Sequence, residues 1–342
     1  MAGGTAPSLR HASAPRALGL AAALLLGATA CAGPPAAVRL TIPRGATLAQ
    51  VADSLAARGA IPNRLAFRLL ARRAGVDRRL VPGLYEVQAR ATMPQIVRLL
   101  GSGDVIATRF TVREGLTLYE VAALASERLG LSADSVTAAA TDRAAAGRIM
   151  AGAPSFEGLL FPDTYQVAGD VTPTQLVALL AAQFAAVWDT AWDARATALG
   201  LSRLQVLTLA SLVEGEARVE EERPIIAGVY YNRWKIGMAL QADPTVQYAL
   251  VQRDGGRKPR LYLKDYGVVS PYNTYLHPGF PPGPVNSPGR ASILAALAPA
   301  KVPFRFFVAG PDGRHRFATS FDEHRRNVVA MRSAWEAVRR QP

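Results

Sequence analysis

An internal repeat limits the fold more than any other feature of the chain. RLTIPRGATLAQVA (Arg39 to Ala52) returns 70 residues later as RFTVREGLTLYEVA (Arg109 to Ala122), with Thr41/Thr111, Gly45/Gly115, Thr47/Thr117, Leu48/Leu118 and Val51/Val121 matched. Each copy spells a strand, a glycine turn, a threonine N-cap and an amphipathic helix. The copies also end alike, in LVPGLYEV (Leu80 to Val87) and LFPDTYQV (Leu160 to Val167), with Pro82/Pro162 and Tyr85/Tyr165 matched. Further helical patterns lie between these ends, at Ala66 to Gly75 and at Ser132 to Met150. The front half therefore reads as β–α–α–β twice. A short amphipathic helix and turn, Met93 to Gly103, sits between the copies.

From Thr172 the pattern becomes mainly helical. Thr172 to Leu199 reads as one long helix with a Thr172-Pro173 start, and Leu201 to Glu216 and Glu222 to Ile236 as two more. Gly237 to Asp243 reads as a turn and an extended segment, and Gly255 to Pro259 as a mobile polar loop. Gly279 to Pro288 carries four prolines and cannot be helix. Ser292 to Leu297 is a short helix. Phe304 to Ala309 and Arg316 to Thr319 form a hairpin around Pro311-Asp312-Gly313, and a terminal helix begins at His324. The expected fold class is α+β: two small modules at 38–103 and 108–167, then a mainly helical domain with a β-hairpin at 168–338. A chain of 342 residues has room for such a division and for a sizeable core.

The chemistry concentrates after the apolar run Leu201 to Val213. That run is apolar on nearly every face, so its helix is expected to be buried. It leads into Glu214, Glu216, Glu220, Glu221 and Glu222. Glutamates in a row ordinarily form a solvated face, and Glu220 to Glu222 are read that way. A carboxylate at the end of a buried helix is desolvated, which raises its pKa and lets it donate a proton near neutral pH. If the helix continues through Gly215, Glu214 and Glu216 stand about 200° apart and cannot enter one pocket. One is expected at a site, the other exposed or structural. Asp243, before Pro244, is a second candidate acid from an extended segment or, alternatively, a helix N-cap. Gln241, Tyr272, Asn273 and Tyr275 offer the hydrogen-bonding and stacking groups that sugars need; Asn273 has the alternative of satisfying its own backbone. The four histidines, His11, His277, His315 and His324, show no metal-ligand spacing, and no glycine-rich phosphate loop is present, so neither a metal nor a cofactor is expected.

The run from Glu214, followed by SPYNTY (Ser270 to Tyr275), GFPPGPVNSPG (Gly279 to Gly289) and FFVAGPDGRHRFATSFDEH (Phe306 to His324), resembles the endolytic murein transglycosylases, the MltG/YceG-like family, over roughly residues 38 to 335. The resemblance implies a membrane-anchored enzyme that cuts peptidoglycan glycan strands internally and leaves 1,6-anhydro-muramyl ends. It implies Glu214, the first glutamate after the apolar helix, as the catalytic residue; Gln241, Asp243, Tyr272, Asn273, Tyr275 and Glu216 are the residues expected around the substrate. Such chemistry needs one carboxyl group, because the C6 hydroxyl of muramic acid is the nucleophile; a true hydrolase needs a second, which would be Glu216 or Asp243. The repeats resemble LysM-like glycan-binding modules, and a non-catalytic wall-binding lipoprotein is the competing function. Cell-wall synthases are implied as partners.

The N-terminus places the chain in the envelope. Arg10, His11 and Arg16 precede an apolar run, Ala17 to Ala30, too short to span a bilayer comfortably. Cys31, the only cysteine, follows Ala28-Thr29-Ala30 and reads as a lipidation site after a cleaved signal peptide spanning 1–31; an uncleaved anchor is the alternative. The net charge of +13 is mostly scattered arginine, without a recognisable nucleic-acid motif, and suits anionic lipid and peptidoglycan carboxylates instead.

Overall fold

A computed structural model describes residues 36–43 and 45–340; the apolar run Ala17 to Ala30 and Cys31 lie outside them. The fold is α+β, with three two-stranded antiparallel sheets among many helices. In the first repeat, β1 (Val38–Ile42) pairs with β2 (Gly83–Val87), and α1 (Leu48–Ala57) and α2 (Arg64–Arg73) lie between them in sequence. After α3 (Met93–Ser102), the second repeat pairs β3 (Ala107–Val112) with β4 (Asp163–Ala168).

The matched residues do matched work. Leu40 faces Tyr85 across the first sheet as Phe110 faces Tyr165 across the second. The Tyr85 hydroxyl donates to the carbonyl of Val81 at 2.8 Å and that of Tyr165 to Phe161 at 2.5 Å, so each tyrosine locks the turn leading into its own strand. Thr47 and Thr117 both close capping boxes, with Gln50 and Glu120. Gly45 and Gly115 both adopt the left-handed backbone, φ 77° and 76°, that the turn requires.

The second copy differs in one respect. The pattern Ser132 to Met150 is two helices, α5 (Ala133–Ala140) and α6 (Arg143–Ile149), after α4 (Leu118–Leu129). Asp142 makes the break, its carboxylate capping the amide of Ala145 at 2.9 Å. The single long helix expected from Thr172 also breaks. It forms α7 (Pro173–Val187) and α8 (Ala191–Leu199), with the Asp189 carboxylate accepting the Ala191 amide at 2.8 Å. The remaining elements are α9 (Arg203–Glu216), α10 (Arg223–Lys235), α11 (Asp243–Asp254), α12 (Arg290–Leu297), β5 (Phe306–Ala309) paired with β6 (His315–Ala318), and α13 (Phe321–Arg339). The helix α11 and the three extra residues at the start of α13 depart from the expected pattern. Among the described residues no single helix is long and apolar enough to cross a membrane.

The buried residues divide unevenly. Leu40, Ile42, Leu55, Phe67, Tyr85, Ile96 and Leu100 form a core of the first repeat alone. The second repeat's Phe110, Leu118 and Val121 join one continuous core with α7, α9, α10 and α12 through Phe156, Leu159 and Leu160. At this seam the buried Glu157 accepts the Leu118 amide with both carboxylate oxygens, at 3.1 Å each, capping α4 from a distant segment. Desolvation lifts its pKa to about 8, against the backbone amide and the Tyr248 hydroxyl that favour its charge.

Glu157 therefore binds its proton more tightly folded than unfolded, where an ordinary glutamate titrates near 4.3. Stability from this group is complete below that value and is lost as pH rises toward 8. Thermal melts across this window should show wild type losing stability with rising pH and Glu157→Gln showing a flatter profile.

Candidate active site

The site is built on the end of α9. Ser202 opens the helix with a capping box, and every residue from Val206 to Val213 is buried. The helix continues regularly through Gly215 to Glu216, so its last two carboxylates leave on different sides.

Glu214 enters an enclosed cluster, with only 7% of its side chain exposed. Its carboxylate accepts the Gly289 amide at 3.0 Å and the Ser292 hydroxyl at 2.8 Å, and pairs with Arg223 at 3.2 Å. Arg223 also donates to Ser292. Glu114, from the turn after β3, closes the other side: a Cβ on Gly289 would lie 1.8 Å from its Oε1. Burial raises the pKa of Glu114, and the Glu214 charge raises it further. Gly115 and Ser287 add paired backbone bonds at 2.8 Å, Gly115 N–H to Ser287 O and Ser287 N–H to Leu116 O. The cluster thus ties α9, α10 and α12 to the second repeat.

Glu216 faces a cleft. Two hollows, of about 380 and 430 Å³, share Glu216, Asp243, Ala309 and His315 as a common wall. One continues over Arg218, Arg257, Lys258 and Arg260, the other over Tyr230, Tyr266, Tyr275 and Phe307. Desolvation pushes the Glu216 carboxyl up to about 7, and the Asp243 charge adds to the rise. The Tyr230 hydroxyl opposes it by donating to Oε1 at 2.8 Å. Asp243 accepts from the Tyr275 hydroxyl at 2.6 Å and from that of Tyr266 at 3.3 Å. Gly215 permits the approach of Asp243: a Cβ there would meet Pro244 at 2.5 Å.

The other candidate residues separate. Asp243 is neither extended nor an N-cap but the first residue of α11, with Ala242 before it as cap. Gln241 is exposed along the aromatic hollow, in the left-handed region at φ 50°, and its amide donates to the Thr274 carbonyl at 3.3 Å. Tyr275 joins the cleft, but Tyr272 does not. Its ring is buried 4.7 Å from that of Tyr248, in the core beside Glu157. Asn273 is also buried and turns on its own loop, donating to the carbonyls of Tyr266 and Val268 and accepting the Tyr275 amide. It shapes the loop that presents Tyr275.

Glu222 departs from the solvated face expected of it. It is buried and accepts the His315 amide, with His315 Nδ1 at 2.7 Å, fixing the hairpin wall of the cleft. Tyr230, Tyr266 and His315 were not singled out from the sequence, although Tyr230 lies in the aromatic stretch that follows the acids. The loop Gly255 to Pro259, expected to be mobile, is tethered: Arg257 makes a two-pronged pair with Glu120, and Lys258 pairs with Asp265 at 2.5 Å. A larger hollow of about 610 Å³ borders β2 and α3, but it has no aromatic wall and no buried acid. Among the described residues no group of three or more His, Cys, Asp or Glu is placed to hold a metal ion.

The YceG-like family model matches residues 40–330. The chain belongs to the YceG-like family. Within that family's reach, it is 31% identical over 303 residues to the endolytic murein transglycosylase of Bacillus subtilis, covering 84% of this chain and 82% of the relative. It is 29% identical over 324 residues to the endolytic murein transglycosylase of Streptococcus pneumoniae, covering 85% of this chain but 58% of that longer protein. The crystal structure of a yceG-like protein from Listeria monocytogenes superposes with a TM-score of 0.59 at 29% identity, covering 85% of this chain and 99% of the other.

Gly215→Ala should test how closely the two helices must approach. The added methyl collides with Pro244, and overpacking of this kind costs about 1–3 kcal/mol. Urea unfolding should show that loss, with activity falling further than stability because Asp243 is displaced from Glu216.

Proposed function

We propose that this protein is an endolytic peptidoglycan transglycosylase that cleaves the MurNAc–GlcNAc bond within glycan strands and leaves 1,6-anhydro-muramyl ends, with Glu216 rather than Glu214 as the acid and base. The observation that carries the assignment is the Glu216 carboxyl, held near pKa 7 where the two hollows meet. Glu214 has the opposite environment: an amide, a hydroxyl and a guanidinium engage its carboxylate in an enclosed cluster, and it lines neither hollow. The two glutamates exchange the roles that the resemblance suggests.

The protonated Glu216 gives its proton to the glycosidic oxygen as the bond to the anomeric carbon breaks. The C6 hydroxyl of the same muramic acid attacks that carbon, and the Glu216 carboxylate takes the hydroxyl proton. The sum is one bond broken, one formed and the acid restored, with no water consumed. Asp243 supplies negative charge beside an oxocarbenium-like transition state. Tyr266 and Tyr275 orient Asp243, while Tyr230 orients Glu216. The aromatic hollow offers stacking surfaces for sugar rings. The repeats, as LysM-like modules, extend the contact with the strand. The N-terminal run, through Cys31 or as an uncleaved anchor, holds the enzyme at a membrane with its cleft outside the cytoplasm, near the synthases that make its substrate.

Mass spectrometry of digested glycan strands should find anhydro-muramyl ends with wild type. Glu216→Gln should lower their release about 10²–10⁴-fold while melting near wild type. Glu214→Gln should do the reverse: it melts lower, by about 3–5 kcal/mol for a broken buried pair, and keeps much of its turnover when folded. Reversed results would return the role to Glu214. Reducing muramic ends would instead make Asp243 the activator of a hydrolytic water.

The alkaline limb of kcat/KM should follow the Glu216 proton, with activity falling above about pH 7. Asp243→Asn removes a charge that raises this pKa, so the limb should move to lower pH in whatever activity remains. A limb that stays in place would separate Glu216 from the proton transfer.

A further inference from the structure

The helix α2, RLAFRLLARR, turns Phe67 and Ala71 into the core of the first repeat. Its opposite face keeps Leu65 and Leu69 in solvent, 74% and 55% exposed. These leucines are one turn apart, and Arg68 and Arg72 line the same shallow hollow. The helix carries no acid. Among the described residues only Arg64 of its arginines is ion-paired, with Asp53 at 3.0 Å; Arg68, Arg72 and Arg73 meet no carboxylate. Over residues 38–87 nine arginines stand against Asp53, Asp77 and Glu86, a net of +6 out of the chain's +13. Core packing does not explain two leucines left in water, and folding does not call for unpaired arginines around them.

We propose that this face of α2 seats on an anionic lipid surface, the leucines entering the interface and the arginines meeting headgroup phosphates. Position on the chain selects this occupant. Val38 follows the apolar run Ala17 to Ala30 after only seven intervening residues, a link that reaches at most about 28 Å when fully extended. Whether a lipid on Cys31 or the uncleaved run is the anchor, the membrane that holds it also holds the first repeat close. The terminal helix α13 likewise exposes Val329 and Trp335 among arginines, but nothing comparable ties it to a bilayer. The inference rests on the membrane attachment proposed above and is independent of the assignment of Glu216.

The full chain, carrying the photo-crosslinker p-benzoylphenylalanine at position 65, 69 or 329, is reconstituted into vesicles of phosphatidylcholine with one third phosphatidylglycerol, and into pure phosphatidylcholine. Flotation and mass spectrometry of adducts are read together. Lipid adducts at 65 and 69, absent at 329, are expected. They should fall about five-fold or more in pure phosphatidylcholine and in Arg68→Glu/Arg72→Glu, which alters one half-buried and one exposed position outside the core and should melt like wild type. Floating protein without lipid adducts at 65 and 69 overturns this proposal alone. Adducts from those positions to a second copy, or to residues 1–35 of the same chain, overturn it in favour of those occupants. Protein that does not float overturns both this proposal and membrane attachment.

Discussion

The geometry of one helix end governs the site. Two carboxylates spaced by a single residue on a regular helix leave on nearly opposite sides. Because α9 is buried along eight consecutive residues, neither side opens freely to bulk water, and each acid must find a purpose-built environment. The chain solves this asymmetrically. One side supplies a guanidinium, a hydroxyl and an amide, and the carboxylate there becomes a structural tie. The other supplies a tyrosine, a second carboxylate and a cleft, and burial pushes the carboxyl group there up to about 7. Gly215 between them is small enough for α11 to come against the helix and deliver the second carboxylate.

Much of this frame was legible in the residues. The repeat announced two strand–helix–strand units, and its matched Thr, Gly and Tyr positions proved to be caps, turns and turn locks. The apolar run before Glu214 announced a buried helix, and its periodicity announced that Glu214 and Glu216 would part. What the pattern left open was the surroundings of each acid, because the residues that decide them, Ser292, Gly289 and Arg223 against Tyr230 and Asp243, come from other elements. No local pattern encodes such contacts.

The departures have local causes of one kind. A single side chain overrode a continuous periodicity: Asp142 and Asp189 each capped a new helix where the apolar spacing ran on unbroken. Pro244 suggested extended chain for Asp243, yet proline is well tolerated in a first helical turn, and α11 begins there. Glu222 looked like its exposed neighbours and is buried because His315 comes to meet it from the distant hairpin. Tyr272 and Asn273 share a hexapeptide with Tyr275, but only Tyr275 reaches the cleft, since Tyr272 turns into the core against Tyr248 and Asn273 binds the backbone of its own loop.

The two repeats keep one sheet and turn plan while differing in their helices and in their packing. Both keep the same sheet register and the same tyrosine lock. Their charges have diverged. Against the +6 of residues 38–87, residues 108–167 carry five arginines and seven acids, a net of −2. Three of those acids, Glu114, Glu120 and Glu157, sit where the second copy meets its neighbours, Glu114 packed against Gly289, Glu120 paired with Arg257 and Glu157 bonded to Tyr248. At the positions matching the first two, the first copy has Arg44 and Gln50. The second copy thus shares its core with the helical domain, whereas the first keeps a core of its own. One backbone plan therefore carries two opposite surface charges, because the sheet, the caps and the tyrosine lock leave the outward positions unconstrained.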